Sequence, residues 1–112
     1  MRKINLSLVI ASHKGRLKLP ELINSVKKNN IWPKEIVICG TNKKDISLVK
    51  KKDLKLLNVN FIVSKIKNQV YQRKIALTKI NQEYVLQLDD DITLENNFFN
   101  NLFFHLKNKK KT

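Results

Sequence analysis

The apolar residues of this chain form four short runs that polar loops separate. The runs span residues 4–10, 35–39, 59–63 and 83–88. Each is nearly continuous and rich in β-branched residues, which is typical of strands that are covered on both faces. The pattern therefore predicts four strands of a mostly parallel sheet.

Between these runs, apolar residues recur at helical spacing. Pro20 suits the first position of a helix. Trp32-Pro33 then interrupts the helical pattern. A short helix is predicted over residues 46–52, and a longer one over about residues 68–79. The predicted apolar faces are Leu19, Leu22, Ile23 and Val26 in the first helix, Val70, Arg73, Ala76, Leu77 and Ile80 in the third, and Phe98, Phe99, Leu102, Phe103 and Leu106 in the last.

Alternation of strands and helices predicts an α/β fold, Rossmann-like, with about four strands flanked by helices. We expect one domain over residues 1–106, followed by a basic tail at residues 107–112. In parallel sheets, ligands bind beyond the carboxyl ends of the strands. Two polar loops, residues 11–16 and 40–45, should therefore lie at this edge of the sheet. The residues that follow the fourth run should lie beside them.

The residues that follow the fourth run are three consecutive aspartates, Asp89, Asp90 and Asp91. Adjacent carboxylates repel one another, and a bound cation relieves that repulsion. Because side chains alternate along a strand, Asp89 and Asp91 should point one way and Asp90 the other. An Asp-x-Asp pair of this kind suits a hard ion, Mg²⁺ or Mn²⁺, bound together with substrate phosphates. The alternative is a solvated turn, in which Asp is common.

The chain is strongly basic, with 23 Lys and Arg residues against nine acidic ones and a net charge of +14. Twenty of the 23 are lysines spread along the chain, whereas a groove-reading protein concentrates arginines. We therefore expect no nucleic-acid partner. A diffuse positive field still attracts anions such as nucleotide diphosphates or acidic lipid surfaces.

No apolar run approaches the roughly 20 residues that a membrane span needs. The basic and then apolar start reads better as a first strand than as a signal peptide. The single Cys39 cannot form an internal disulfide, which fits a reducing compartment. We expect a cytoplasmic protein, with a peripheral position at the inner face of the membrane as an open alternative.

Four segments resemble the nucleotide-sugar glycosyltransferases of family 2, which have the GT-A fold. They are residues 8–13 (LVIASH), 35–38 (EIVI), 71–77 (YQRKIAL), which resemble an Ala-Arg-Asn-x-Gly helix, and 83–92 (EYVLQLDDDI). Their order and spacing together are more specific than any one of them. The resemblance covers the chain from Leu6 to about Leu106.

The resemblance implies an inverting transferase with a UDP-type nucleotide-sugar donor and Mn²⁺ or Mg²⁺ as cofactor. It places the metal at Asp89 and Asp91, with Asp91 holding the ion and the diphosphate. The implied nucleotide-binding residues are Ala11, Ser12, Thr41, Arg73, Asp89 and Asp90. Within that set, Ala11 and Ser12 would lie against base and ribose, and Asp89 would contact the nucleoside.

Two departures from the family pattern bear on activity. The family's second strand usually runs into an Asp that holds the uracil ring, whereas this chain reads Cys39-Gly40-Thr41-Asn42. Thr41 or Asn42 could supply a hydrogen bond there, and Asp45 is a distant substitute. Family members are also longer, and after Asp91 the only acidic residue is Glu95, so the acceptor half and the catalytic base are expected to be missing.

In the leading interpretation the chain is a truncated product or a donor half that a second chain completes, and a membrane surface is a further possible partner. Two other hypotheses stay open. A non-catalytic nucleotide-binding remnant or subunit, folded like the enzyme but unable to transfer, also fits the missing base. A nucleotidyltransferase also uses Asp pairs, but its Gly-rich basic loop has only a faint counterpart in residues 13–16. The last helix's apolar stripe is expected to pack in the core, although it also suits a partner or a membrane.

Overall fold

The computed structural model describes residues 2–109, which form one four-stranded sheet flanked by helices. The strands are β1 (Arg2–Ala11), β2 (Ile31–Gly40), β3 (Val59–Val63) and β4 (Tyr84–Asp89). The α-helices are α1 (Leu19–Lys27), α2 (Lys51–Leu56), α3 (Gln69–Leu77) and α4 (Phe98–Lys109), and a 3-10 helix spans Lys43–Ile46.

All strand pairings are parallel, in the order β3-β2-β1-β4. The predicted α/β class with a parallel sheet is confirmed. Ala11 lies in register with Cys39 of β2 on one side and with Asp89 of β4 on the other. The carboxyl ends of three strands are therefore level, and the loops that leave them share one edge of the sheet.

The core lies on both faces of the two central strands. On one face, β1 and β2 pack against α1 and α4, with Leu8, Ile36 and Phe99 fully buried. On the other face, Val9 and Val37 pack against Ala76 of α3. Burial on both faces explains why the two central strands read as continuous apolar runs.

The second strand is longer than predicted. It begins at Ile31 and includes Trp32 and Pro33, which the sequence suggested as a break. Pro33 is accommodated because the register between β1 and β2 shifts next to it, between Ile4 and Ser7. The Trp32 indole Nε1 donates to the Asn29 carbonyl at 2.9 Å, which anchors the start of the strand.

Two predictions about the helices were wrong in whole or in part. The helix expected over residues 46–52 is replaced by the 3-10 helix, whose cap is the Asn42 side chain, and by α2. The expected apolar face of α3 is wrong in part: Ala76 is fully buried as predicted, but Val70 is 74% exposed, and Gln72, which was not on the predicted face, is fully buried. Gln72 turns inward because its amide bonds backbone carbonyls at the ends of two strands.

The last helix packs as expected. Phe98, Phe99, Leu102 and Phe103 join the main core, and Leu106 lines an adjoining cavity of about 250 Å³. The helix continues to Lys109, so its end enters the stretch predicted as a tail, and residues 110–112 of that tail lie outside the described residues. Within residues 2–109, no helix combines the length and the apolar character that crossing a membrane requires.

Candidate functional site at the carboxyl edge of the sheet

The three aspartates occupy the end of β4 and the turn after it. Asp89 is the last residue of the strand, and Asp90 and Asp91 lie in the turn. Asp89 and Asp91 are exposed, whereas Asp90 is buried. This alternation agrees with the predicted one. The Asp89 and Asp91 side chains face the solvent, whereas Asp90 is bonded within the protein.

Asp89 is paired with Arg73 of α3, whose Nη2 lies 2.8 Å from Asp89 Oδ1. Both side chains are partly exposed, at 33% for Arg73 and 54% for Asp89. Such a pair contributes little to stability because solvent screens it. The pair instead fixes a position, since it holds the Arg73 guanidinium beside the aspartates at the carboxyl edge of the sheet, here called the rim.

Asp90 fastens the turn to the loop after β1. Its Oδ2 accepts a hydrogen bond from Ser12 Oγ at 3.0 Å, and Ser12 is fully buried. Gly15 closes over this contact, because a Cβ on it would lie 2.0 Å from Ser12 Oγ and 3.0 Å from Asp90 Oδ2. Ser12 and Asp90 therefore join the turn after β4 to the loop after β1, and the Asp89 and Asp91 side chains stay exposed.

Gln72 is a site residue that the sequence prediction missed. Its Nε2 donates to the Ser12 carbonyl at 2.7 Å and to the Cys39 carbonyl at 2.8 Å. Ser12 N also donates to the Cys39 carbonyl, at 2.9 Å, so the ends of β1 and β2 are cross-linked twice. The available signal was a long polar residue where the resembling helix motif has Ala.

Two polar atoms on this stretch of α3 are buried without a hydrogen-bond partner in residues 2–109. They are Gln72 Oε1 and Arg73 Nε. An unpaired buried polar group costs about 1–3 kcal/mol. A water molecule or a side-chain rearrangement that gave these two atoms hydrogen-bond partners would therefore stabilise this part of α3.

The end of β2 lacks the Asp that the family resemblance implies, and Gly40 leaves no room for a side chain there. A Cβ on Gly40 would lie 2.6 Å from Phe61 Cζ, so the Phe61 ring occupies the direction in which a side chain would leave. Asp45 is not distant in space, because its Oδ2 is 3.3 Å from the Thr41 backbone N–H nitrogen and 3.1 Å from the same Cβ position. Its carboxylate is only 5% exposed and closes the turn.

A cleft of about 300 Å³ opens beside this turn. It is bounded by the loop after β1, by the turn after β2 and by the loop before α3. Its lining residues are His13, Lys14, Arg16, Thr41, Asn42, Lys44, Asp45 and Lys67. Four of them carry permanent positive charges, so this end of the rim is basic, whereas the Asp89–Asp91 end is acidic.

The donor set at the acidic end suits a hard cation in part. Among residues 2–109, no group of three or more His, Cys, Asp or Glu side chains is arranged to hold an ion. Two exposed carboxylates, Asp89 and Asp91, match an ion that takes one or two carboxylates and completes its shell with phosphate oxygens or water. His13 lines the basic cleft and joins no such group.

The remaining candidate residues separate into two locations. Ala11, Ser12, Thr41, Arg73 and the three aspartates all lie at the carboxyl edge, although Ala11 is only 2% exposed. Glu95 does not lie there, because its carbonyl accepts a hydrogen bond from Asn29 Nδ2 at 3.1 Å and Asn29 lies just before the start of β2. Cys39 is fully buried, and burial raises the pKa of its thiol.

Comparison with known proteins gives a family and a fold. The sequence model of glycosyl transferase family 2 matches residues 7–112. No curated protein sequence gives a significant match. Among solved structures, S. aureus TarS residues 1–349 superposes with a TM-score of 0.78 at 20% identity, covering 96% of this chain and 33% of that one.

Two further TarS structures contain ligands. The complex with UDP-GlcNAc superposes with a TM-score of 0.72 and the complex with UDP with 0.70, both at 21% identity, 96% coverage of this chain and 32% of the TarS chain. The present chain thus spans about a third of the TarS 1–349 chains and 20% of the chain in a further TarS structure.

Proposed function

The chain belongs to glycosyl transferase family 2, and from that premise we propose that it binds a UDP-sugar through a divalent ion. Its four parallel strands and flanking helices form the GT-A type of α/β fold. The observation that carries the proposal is the pair of exposed carboxylates, Asp89 and Asp91, on the edge where parallel sheets bind ligands.

The donor class is proposed from the relatives. S. aureus TarS structures have been determined with UDP-GlcNAc and with UDP, and they superpose on nearly the whole of this chain. A UDP-type donor is therefore the first ligand to test. The identity of the sugar is not part of the proposal, because no residue of the described rim distinguishes one sugar from another.

In this proposal Asp91 is the main ligand of Mg²⁺ or Mn²⁺, and Asp89 is either a second ligand or a contact to the nucleoside. When bound, the ion would offset the negative charge that develops on the leaving diphosphate. Asp90 and Ser12 keep the turn in place through their buried hydrogen bond. Arg73 is paired with Asp89, and in this proposal it becomes available to the nucleotide when the ion draws that carboxylate away.

Transfer to an acceptor hydroxyl also needs a base. The backbone carbonyl of Glu95, the only acidic residue after Asp91, accepts a hydrogen bond from Asn29, which precedes the amino end of β2. We therefore propose that this part of the protein binds the donor, and that a group outside residues 2–109 completes the reaction. A purely nucleotide-binding role is the second candidate, and the position of Glu95 is the observation that favours it.

Calorimetric titration tests the metal-linked binding that both candidates share. UDP-GlcNAc and UDP should bind in Mn²⁺ and lose most of their affinity in EDTA, because the ion links carboxylates and phosphates that otherwise repel. Sugar release without added acceptor is then assayed on the same sample. Binding without release supports the donor-binding role, turnover would show that a base is present, and binding that is indifferent to Mn²⁺ would contradict the metal proposal. Tight CTP or ATP binding with pyrophosphate release would instead indicate nucleotidyl transfer.

A further inference from the structure

The segment 47–56, which follows the 3-10 helix and includes α2, presents a surface of lysines and leucines to the solvent. Four of these ten residues are lysines, against 20 of 112 in the whole chain, so lysine is concentrated here. Leu48 is 45% exposed and Leu56 is 47% exposed. We call the following six exposed residues the lysine–leucine face: Leu48, Lys50, Lys51, Lys52, Lys55 and Leu56.

On α2, four of these side chains share one side of the helix. Lys51 and Lys55 are four residues apart, and so are Lys52 and Leu56, so the two pairs form neighbouring rows along the helix. Leu48 and Lys50 adjoin them at the edge of a small cavity of about 100 Å³ between α2 and α1. The segment is fixed in place by its inward-facing residues, Val49, Leu54 and Leu57, which pack in the main core.

The protein does not neutralise the four lysines of this face. Within residues 2–109, none of them forms an ion pair with a carboxylate. Asp53 is the only acidic residue of segment 47–56, and it is 4% exposed and turned towards Lys27 Nζ, 2.9 Å away. The face therefore presents positive charge and apolar surface with no exposed acid in its own segment.

Folding gains nothing from this arrangement. Like charges four residues apart on a helix, as at Lys51 and Lys55, repel each other. Cations at the start of a helix also oppose its dipole, and Lys50 and Lys52 lie at the cap and in the first turn of α2. A solvated helix usually carries charges of both signs. The composition of the face thus favours an anionic partner that offsets the repulsion.

We propose that the lysine–leucine face docks the protein on an anionic lipid surface. The lysine ammonium groups would lie among acidic headgroups, and the two leucines would enter the boundary between headgroups and acyl chains. The lysine stems suit this position because their methylene groups lie along apolar surface while the charge stays in water. A nucleic-acid partner is disfavoured, because the face contains neither an arginine nor an aromatic ring on which a base could stack.

The test is co-sedimentation of the full chain with vesicles at physiological ionic strength. One set of vesicles is phosphatidylcholine alone, and the other also contains phosphatidylglycerol, to which alone we expect binding. Lys51→Gln/Lys55→Gln should weaken that binding about thirtyfold, since each lysine beside an anionic membrane contributes about fivefold in affinity. Leu48→Gln/Leu56→Gln should weaken it about fivefold or more, because less apolar area is buried. All four side chains are exposed, so the melting temperature should not fall.

The matched control is Lys74→Gln/Lys79→Gln. It removes the same charge from α3 and the segment after it, on the opposite face of the sheet from α1, and should retain binding. Equal weakening by both lysine variants would overturn the proposal, because net charge alone would then attract the lipid. Unchanged binding by the leucine variant, or no binding of the unmodified chain to the mixed vesicles, would also overturn it.

A labelled single-stranded oligonucleotide tests the other class of polyanion. We expect the Lys51→Gln/Lys55→Gln variant and the Lys74→Gln/Lys79→Gln control to bind it equally weakly. If the first variant alone loses oligonucleotide binding, and the unmodified chain does not bind vesicles, the face belongs to a nucleic-acid site and the lipid proposal is wrong. None of these measurements involves a divalent ion or a nucleotide-sugar, so they stand or fall separately from the proposed function.

Discussion

Replacing Asp91 by Ala is expected to abolish the Mn²⁺-dependent part of UDP binding. Asp91 is exposed, and within residues 2–109 its carboxylate forms no hydrogen bond or ion pair, so it faces the solvent. Loss of a residue that supports a metal ion costs about 10–100-fold in metal affinity even when it is not itself a ligand. We expect at least a loss of about 100-fold for a direct ligand, measured as the ratio of UDP affinities in Mn²⁺ and in EDTA.

The control for this experiment is Glu21→Ala. Glu21 is also an exposed acidic residue, but it lies in the first turn of α1. The same change at Asp53 or Asp90 would be uninformative, because Asp53 is buried against Lys27 Nζ at 2.9 Å and Asp90 holds Ser12. The Asp91 assignment is wrong if Glu21→Ala and Asp91→Ala lower metal-dependent binding equally. It is also wrong if both variants leave it intact.

Replacing Gly40 by Asp is expected to destabilise the protein instead of restoring the base contact that the family resemblance implies. The new Cβ would lie 2.6 Å from Phe61 Cζ and 3.1 Å from Asp45 Oδ2, so the substitution combines overpacking with repulsion between two carboxylates. Overpacking a buried site costs about 1–3 kcal/mol, and burying an unpaired charge adds to this. We expect the melting temperature to fall by roughly 10 °C.

Two variants make this prediction specific. Asn42→Asp adds the same charge two residues away, at an exposed position where Asp also caps a helix, and should leave the melting temperature nearly unchanged. Gly40→Asp combined with Phe61→Ala removes the ring that obstructs the new side chain. If Gly40→Asp is as stable as the unmodified chain, or if the added Phe61→Ala worsens it by as much as Phe61→Ala does alone, Phe61 does not obstruct position 40.

The sheet could be predicted from the sequence because β1 and β2 are buried on both faces. That burial requires unbroken apolar residues, so the pattern itself marks the strands. The aspartate turn was equally visible, because polar residues that directly follow a buried strand in a parallel sheet lie at its carboxyl edge. Pro33 misled the prediction because a shift in strand register, which sequence does not reveal, makes room for it.

The network behind the site could not be predicted, since it depends on contacts between distant segments. Gln72 looked like an exposed helical residue because its partners, the carbonyls of Ser12 and Cys39, are 60 and 33 positions away. Asp45 looked distant from the end of β2 because the 3-10 helix that folds it back has no strong sequence signal. Periodicity reports which residues are apolar, but it does not report which polar residues find partners in the interior.

The most direct test of the central claim is where a bound ion lies. In nuclear magnetic resonance spectra of the isotope-labelled chain with UDP, paramagnetic Mn²⁺ broadens the amide signals of residues near it, and diamagnetic Mg²⁺ serves as the reference. The account predicts that Ser12, Asp90 and Asp91 broaden first, whereas Asn29 and Asn81, which flank the amino ends of the strands, keep their intensity. Broadening centred on the amino ends, or spread evenly over the chain, would contradict a metal site at the aspartate turn.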